Sequence, residues 1–317
     1  MTRESDSSLS AQRLADRSAR GTRRDLGLAS LGAFFFGCTV LFSRTVAREQ
    51  LPPSVALGVR FGVAGVLLLA LLGALHRPLL PPPGERIAAL ALGLFVYAVE
   101  STFFYMGLQR GTAAAVALIF YAYPAVIALV ETVTGAIRLR ARTVVALVLS
   151  ISGSAVVAVG GGKVAITTTG VVLVCGSIVM FSTYALLSDR VLRRTDSLTS
   201  AAWTAIGASA GVTLFGAARG QLEMPSGHAL AALVANGFVT AAAFTLFFMV
   251  LGRIGPTRTG ICMALEAVTG IVLAAIFLGE SVRPIVALGG AAVLAGAVLA
   301  ALLASAPIEA IEVSSSP

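Results

Sequence analysis

Apolar residues in this chain come in long runs separated by short polar or helix-breaking stretches, and the runs predict helices at 26–47, 54–75, 87–108, 112–133, 143–161, 169–188, 198–218, 228–251, 257–278 and 284–304. At about 1.5 Å per residue, runs of about 20 residues cross a hydrocarbon core roughly 30 Å thick. The separators carry the matching chemistry: LPPS at 51–54, PLLPPPG at 78–84, GGG at 160–162 and MPSG at 224–227 each stop a helix. The expected fold class is therefore all-α, a polytopic membrane bundle of ten transmembrane helices. Residues 1–25 are polar, and their acids Glu4, Asp6, Asp16 and Asp25 argue against an organellar transit peptide. They and residues 305–317 read as disordered cytoplasmic tails. The first apolar run is too long for a signal-peptide core and has no small-residue cleavage site after it, so it is expected to remain as a spanning helix.

Composition agrees with this pattern. Hydrophobic residues make up 57% of the chain and charged residues 12%, with a mean hydropathy of +0.92, values outside the range of water-soluble domains. The net charge of +8 would suggest nucleic acid in a soluble chain, but here the arginines sit in the connections, where they set orientation and exclude that partner. With the amino terminus inside, sixteen basic residues fall on the cytoplasmic side, among them Arg77, Arg138, Arg190 and Arg253. Six fall opposite: Arg44, Arg48, Arg110, Lys163, Arg219 and Arg283. Both termini are thus expected in the cytoplasm, with the protein multi-pass in the cell inner membrane. Cys38, Cys175 and Cys262 have no paired spacing, which leaves no zinc motif or disulfide framework; each reads as a small buried hydrophobe.

The chain also repeats itself. MGLQRGTAAAVALIFYAYPAVIAL from Met106 resembles VLGRIGPTRTGICMALEAVTGIVL from Val250. Setting Leu108 against Leu251 places Tyr123 opposite Glu266 and Pro124 opposite Ala267. The two copies, 26–161 and 169–304, each hold five helices. Five is odd, so the second copy enters the membrane upside down, an inverted 5+5 repeat whose pseudo-two-fold axis lies in the membrane plane. Such repeats hold substrate near mid-depth between the copies.

Several pieces in order and register, FFFGCTVLFSR at 34–44, ALGVRFGVAGVLLL at 56–69, YPAVIAL at 123–129, LEAVTGIVLAAIFLGE at 265–280 and GGAAVLAGAVL at 289–299, resemble the drug/metabolite transporter superfamily and its ten-helix bacterial EamA branch. The resemblance spans residues 26–304. It departs in two places: Ala267 stands where the family usually has proline, and the first copy ends TGAIRLR where Gly-Glu is expected, so no role of a first-copy Gly-Glu carries over. The resemblance implies secondary transport, with export of amino acids or related metabolites as its commonest theme.

Ionisable residues inside spans cost about 2.5–3.5 kcal/mol at a helix centre, so their depth is informative. Glu266 lies roughly 14 Å from the cytoplasmic edge and Pro124, a predicted helix break, roughly 18 Å from the other, a shared level near mid-depth. A charge and a helix break at one depth suit a site for substrate or coupling ion. Glu100 and Arg60 share a second level. Either they form a buried ion pair that holds the first copy together, or Glu100, flanked on its face by Tyr97 and Phe104, meets a cationic group or carries a proton. Glu131 falls at the cytoplasmic interface, where it is expected to snorkel toward Arg138 or Arg140. Tyr121, Tyr123, Tyr184 and Thr39 are polar-tipped residues at interior positions; they complete the candidate substrate-binding set with Glu266, Glu100 and Tyr97, although helix-to-helix hydrogen bonds explain most such residues.

The expected function is secondary-active export of small polar metabolites such as amino acids, by alternating access around a midplane cavity, with protons as a coupling ion through Glu266 or Glu100. No G-x-x-x-x-G-K-[ST] sequence is present, so no ATP site is expected; nor is any cofactor, metal or catalytic residue, and the chain is compatible with a monomer. A membrane scaffold without transport is the alternative. An intramembrane enzyme would need a nucleophile and base or a metal cluster, and His76 and His228 stand at loop ends on opposite sides.

Overall fold

Helices occupy every apolar run. The computed structural model describes residues 24–43, 46, 49–138, 140–160, 166–278 and 283–304; residues 1–23 and 305–317 of the predicted tails and the Gly-Glu at 279–280 lie outside them, whereas Arg24 and Asp25, assigned to the tail, begin the first helix. In order, the helices are α1 (Arg24–Ser43), α2 (Pro53–Ala74), α3 (Arg86–Gln109), α4 (Ala113–Phe120), α5 (Tyr123–Val133), α6 (Ala141–Gly160), α7 (Thr168–Val191), α8 (Ser197–Ala218), α9 (Gly227–Ile254), α10 (Pro256–Met263), α11 (Leu265–Leu278) and α12 (Ile285–Ala304). Among the described residues the only β pairing is a single bridge between Gly111 and Ile166. Among the described residues six helices, α1, α2, α3, α7, α8 and α9, are long and apolar enough to cross a membrane. Large apolar side chains point outward along them, with Val66 67% and Leu214 68% exposed, which water would penalise and lipid would not.

Local chemistry sets the ends. Pro53 opens α2 with its missing N–H placed where no helical bond is needed. The Thr112, Thr167 and Ser226 hydroxyls accept from the backbone N–H three residues on and cap α4, α7 and α9. Gly255, at φ +75°, makes the turn from α9 to α10 in a region L side chains avoid.

Two predicted helices are broken. The run 112–133 stops at Phe120 because Pro124 has no N–H to return to the Phe120 carbonyl and its ring would strike it; the Ala122 N–H bonds back to Ile119 instead, and Pro124 sits in the first turn of α5. The run 257–278, expected to be continuous, breaks at Ala264 without a proline, again with a bond to the third residue back, Ile261. At the offset that pairs Leu108 with Leu251, Ala264 corresponds to Tyr121, so the two breaks occupy the same place in each copy. A π-helical stretch, Leu92–Tyr97, interrupts α3, where a Cβ on Gly93 would come within 2.6 Å of the Thr204 carbonyl. Nothing in the local pattern foretold it.

Equivalent helices of the two copies pack on one another. Gly58 meets Thr213, Gly62 meets Ser209 and Gly65 meets Ile206; numbers rise along α2 as they fall along α8, so the pair is antiparallel. Gly153 and Gly289 face each other across α6 and α12, and Gly296 faces Ala146. At the same offset Gly153 corresponds to Gly296 and Ala146 to Gly289, so this is one contact made twice with the copies exchanged, the signature of a two-fold axis between upside-down copies. Small residues let backbones touch, which matters where lipid supplies no hydrophobic drive between helices.

Three expectations about side chains change. Arg60 and Glu100 form no ion pair. Glu131 does not snorkel: it is buried and accepts from the Thr257 N–H and hydroxyl, since the uncapped N-terminus of α10 offers a closer partner than any arginine. Cys175 is exposed, whereas Cys262 is buried.

Candidate functional site

The cavity lies where α1, α2, α3, α7 and α9 surround the two helix breaks, with room of about 60 Å³. Its wall runs from Phe181, Phe247 and Met263 to Ser43, Leu57 and Leu108, near the end of the bundle where α1 and α3 finish and α2 begins. That end is opposite the arginine-rich connections.

Of the residues singled out in the sequence, Glu266, Glu100, Tyr123, Tyr97, Thr39 and Arg60 line this one cavity. Tyr121 and Tyr184 are buried outside its wall, and the Tyr184 hydroxyl donates to Thr204 at 3.1 Å. Pro124 acts from behind, by ending α4 so that Tyr123 starts a new helix turned toward the break between α10 and α11. The Tyr123 hydroxyl donates to the Gly260 carbonyl at 3.1 Å, which fastens one broken helix to the other. Thr39 bonds the Phe36 carbonyl of its own helix at 2.8 Å.

The three charged groups are held differently. Glu100 accepts from Ser101 and from Ser177 of α7, both at 2.8 Å, so two hydroxyl donors replace part of the hydration its carboxylate loses. The Nε of Arg60 donates to the Thr240 hydroxyl at 2.7 Å, and its guanidinium lies 4.9 Å from the Phe61 ring centre, a cation–π arrangement. Glu266 stands in the first turn of α11, where helix partial charge favours a carboxylate. Among the described residues it makes no hydrogen bond or salt bridge, yet Arg60 and Glu100 are within its electrostatic reach. One cavity thus presents a guanidinium held by one bond and, among the described residues, a carboxyl held by none.

Sequence reasoning missed Ser177 and Thr240, because each partner lies on a helix of the other copy. It also missed Tyr105, whose hydroxyl lines the cavity and has no partner. Tyr105 was legible: it follows Ser101 by four residues on the face that carries Tyr97 and Glu100. That face stays in register because the π stretch ends at Tyr97. The end of the cavity nearer the arginines is closed by rings. Tyr123 and Phe181 lie 4.8 Å apart, Phe181 and Phe247 5.9 Å, and Tyr184 and Phe247 6.2 Å, the last pair stacked. Among the described residues no group of His, Cys, Asp and Glu could hold a metal ion.

Residues 25–159 and 168–302 each match the model of the EamA-like transporter family. A protein of known crystal structure, 20% identical, superposes on 88% of this chain and 98% of its own with a TM-score of 0.72, a likeness of fold. No curated protein matches the sequence.

Proposed function

Since this chain belongs to the EamA-like transporter family, and so is a multi-pass membrane transporter, we propose that it exports small zwitterionic metabolites such as amino acids by secondary-active transport. The observation that carries this reading is the Arg60 guanidinium and the Glu266 carboxyl on one cavity wall with no salt bridge between them. Arg60 keeps guanidinium donors beyond the one spent on Thr240 and takes the substrate carboxylate. Glu266, which makes no hydrogen bond among the described residues, takes the ammonium or, between substrates, a proton. Glu100 already has two donors and positions α3 against α7. Tyr105 supplies a further hydroxyl.

In this reading the broken helices complete ten crossings, five in each copy, with both termini in the cytoplasm as the arginine distribution argues. The cavity faces away from the arginine-rich end and is therefore outward-facing. Alternating access cannot be a free rocking of one copy on the other, because the glycine seams of α2 with α8 and α6 with α12 join the copies backbone to backbone. The two helix breaks are the natural hinges.

Proteoliposomes loaded with labelled amino acids test the proposal. Efflux should depend on a proton gradient, fall to background with Glu266→Gln, and persist at reduced rate with Glu100→Gln. Flux left unchanged by Glu266→Gln would remove that carboxylate from the mechanism, and no flux of any amino acid would overturn the substrate class.

A further inference from the structure

A second cavity opens at the arginine-rich end, between the end of α7, the start of α8 and the end of α9, with room of about 330 Å³. Its wall contains Ser188, which is 2% exposed and whose hydroxyl lies near the Tyr184 hydroxyl without forming a hydrogen bond of good geometry, and the equally buried Ser200. A buried hydroxyl so poorly satisfied is costly and has capacity for a better partner. Asp189 and Arg193 line the same cavity. Although they attract each other, no salt bridge joins them, and among the described residues neither makes a hydrogen bond. An acid and a base that share a cavity without closing on one another leave a gap with a positive and a negative edge.

This cleft and the central cavity lie on the same two helix faces. Along α7, Phe181 lines the central cavity and Ser188, two turns on, lines the cleft; Tyr184 falls between them. Along α9 Phe247 lines the central cavity and Leu251, one turn on, lines the cleft, with Phe248 beside them on the cleft wall. What separates the two spaces is one layer of rings, Tyr184, Phe247 and Phe248, with Phe247 and Phe248 5.6 Å apart and Tyr184 6.2 Å from each.

We propose that the cleft is a second binding site for a zwitterionic solute, the inner mouth of the path, with Asp189 taking the ammonium, Arg193 the carboxylate and the Ser188 hydroxyl completing the shell, and that the Tyr184–Phe247–Phe248 layer is the gate between this site and the central one. It rests on the transport reading above, but the site itself can be measured without transport. Asp189 and Arg193 meet charge at a surface-accessible mouth, where binding is weak and release fast, as an entry site requires. The ring layer supplies an apolar barrier that side-chain rotation alone could part.

Ser197→Cys, at a part-exposed position on the same cleft wall, placed in a full-length chain with Cys38, Cys175 and Cys262 replaced by alanine, makes the cleft readable by a water-soluble charged thiol reagent. L-Alanine serves as the probe because it carries both charges and little else. At ten times its Kd, L-alanine should slow labelling by about tenfold, since only the free fraction reacts; acetate or methylammonium, each with one charge, should not. Adding Asp189→Asn or Arg193→Gln should abolish the protection and leave labelling without probe unchanged. Gly252→Cys, exposed on the opposite wall with open space at its Cβ position, repeats the measurement should the first variant fail to fold. Absence of protection by L-alanine in both overturns the site. Uptake of labelled L-alanine by the unaltered chain separates the failures: uptake without protection removes the cleft alone, and protection without uptake keeps the cleft and removes the transport reading.

Discussion

The seam between α6 and α12 offers the sharpest test of the two-copy architecture. A Cβ at Gly153 would lie 2.7 Å from the Gly289 carbonyl oxygen and 2.8 Å from the Val293 nitrogen, whereas ordinary contact begins at 3.4 Å. Both obstacles are backbone, so no side chain can swing aside, and Gly153→Ala must part the helices by about 0.7 Å. A gap of about 0.5–1 Å forfeits a quarter to a half of the dispersion energy of the contacts it opens, and overpacking of this kind costs about 1–3 kcal/mol. Alanine for glycine inside a helix returns up to about 1 kcal/mol through propensity, so a control is needed. Gly73, in α2 with nothing within 4 Å of its Cβ position, supplies it. Thermal unfolding of the purified protein in detergent should put Gly153→Ala several degrees below Gly73→Ala. Gly289→Ala should match it, because its Cβ would meet the Gly153 carbonyl at 2.7 Å. The double variant should lose less than the sum, since helices already parted accept the second methyl. If Gly153→Ala melted together with Gly73→Ala, the seam and the two-fold relation built on it would both be wrong.

Other consequences can be checked separately. Glu131→Ala strands the Thr257 N–H and hydroxyl and should cost about 1–3 kcal/mol; a thermal-melt cycle with Thr257→Ala should show strong non-additivity if the cap is real. Tyr123→Phe removes the bond to Gly260 and should cost about 0.5–1.5 kcal/mol, read as a lowered melting midpoint without loss of helical circular dichroism. A lipid-soluble maleimide should label Cys175 in the folded protein and reach Cys262 only after unfolding; equal labelling would contradict the assigned faces. Thr240→Val frees the Arg60 side chain from its one hydrogen bond. It should weaken substrate binding more than Ser177→Ala, which touches only Glu100, and the ratio of half-saturating concentrations in proteoliposome uptake measures that difference.

Much of the plan is legible along the chain because membrane burial imposes a one-dimensional signal. Backbone groups in lipid must be satisfied within their own helix, so apolar run length and Pro-Gly punctuation locate the helices, and the odd helix number per copy predicts the inversion that the antiparallel α2–α8 seam displays. The offset between Leu108 and Leu251 even aligns the helix breaks, though only Pro124 announces one; Ala264 breaks without a local signal, through the packing of its copy. Which charges meet which partners is another matter. Depth put Arg60 and Glu100 at one level, but a shared level says nothing about azimuth, and the bundle turns Arg60 to Thr240 and Glu100 to Ser177, residues far along the chain. The same holds for Glu131, whose partner Thr257 exists as a target only once α10 has begun beside it. Run length and periodicity constrain a helix by itself, whereas a side-chain partner depends on how two helices are rotated against each other, and that rotation is decided only when every seam closes together.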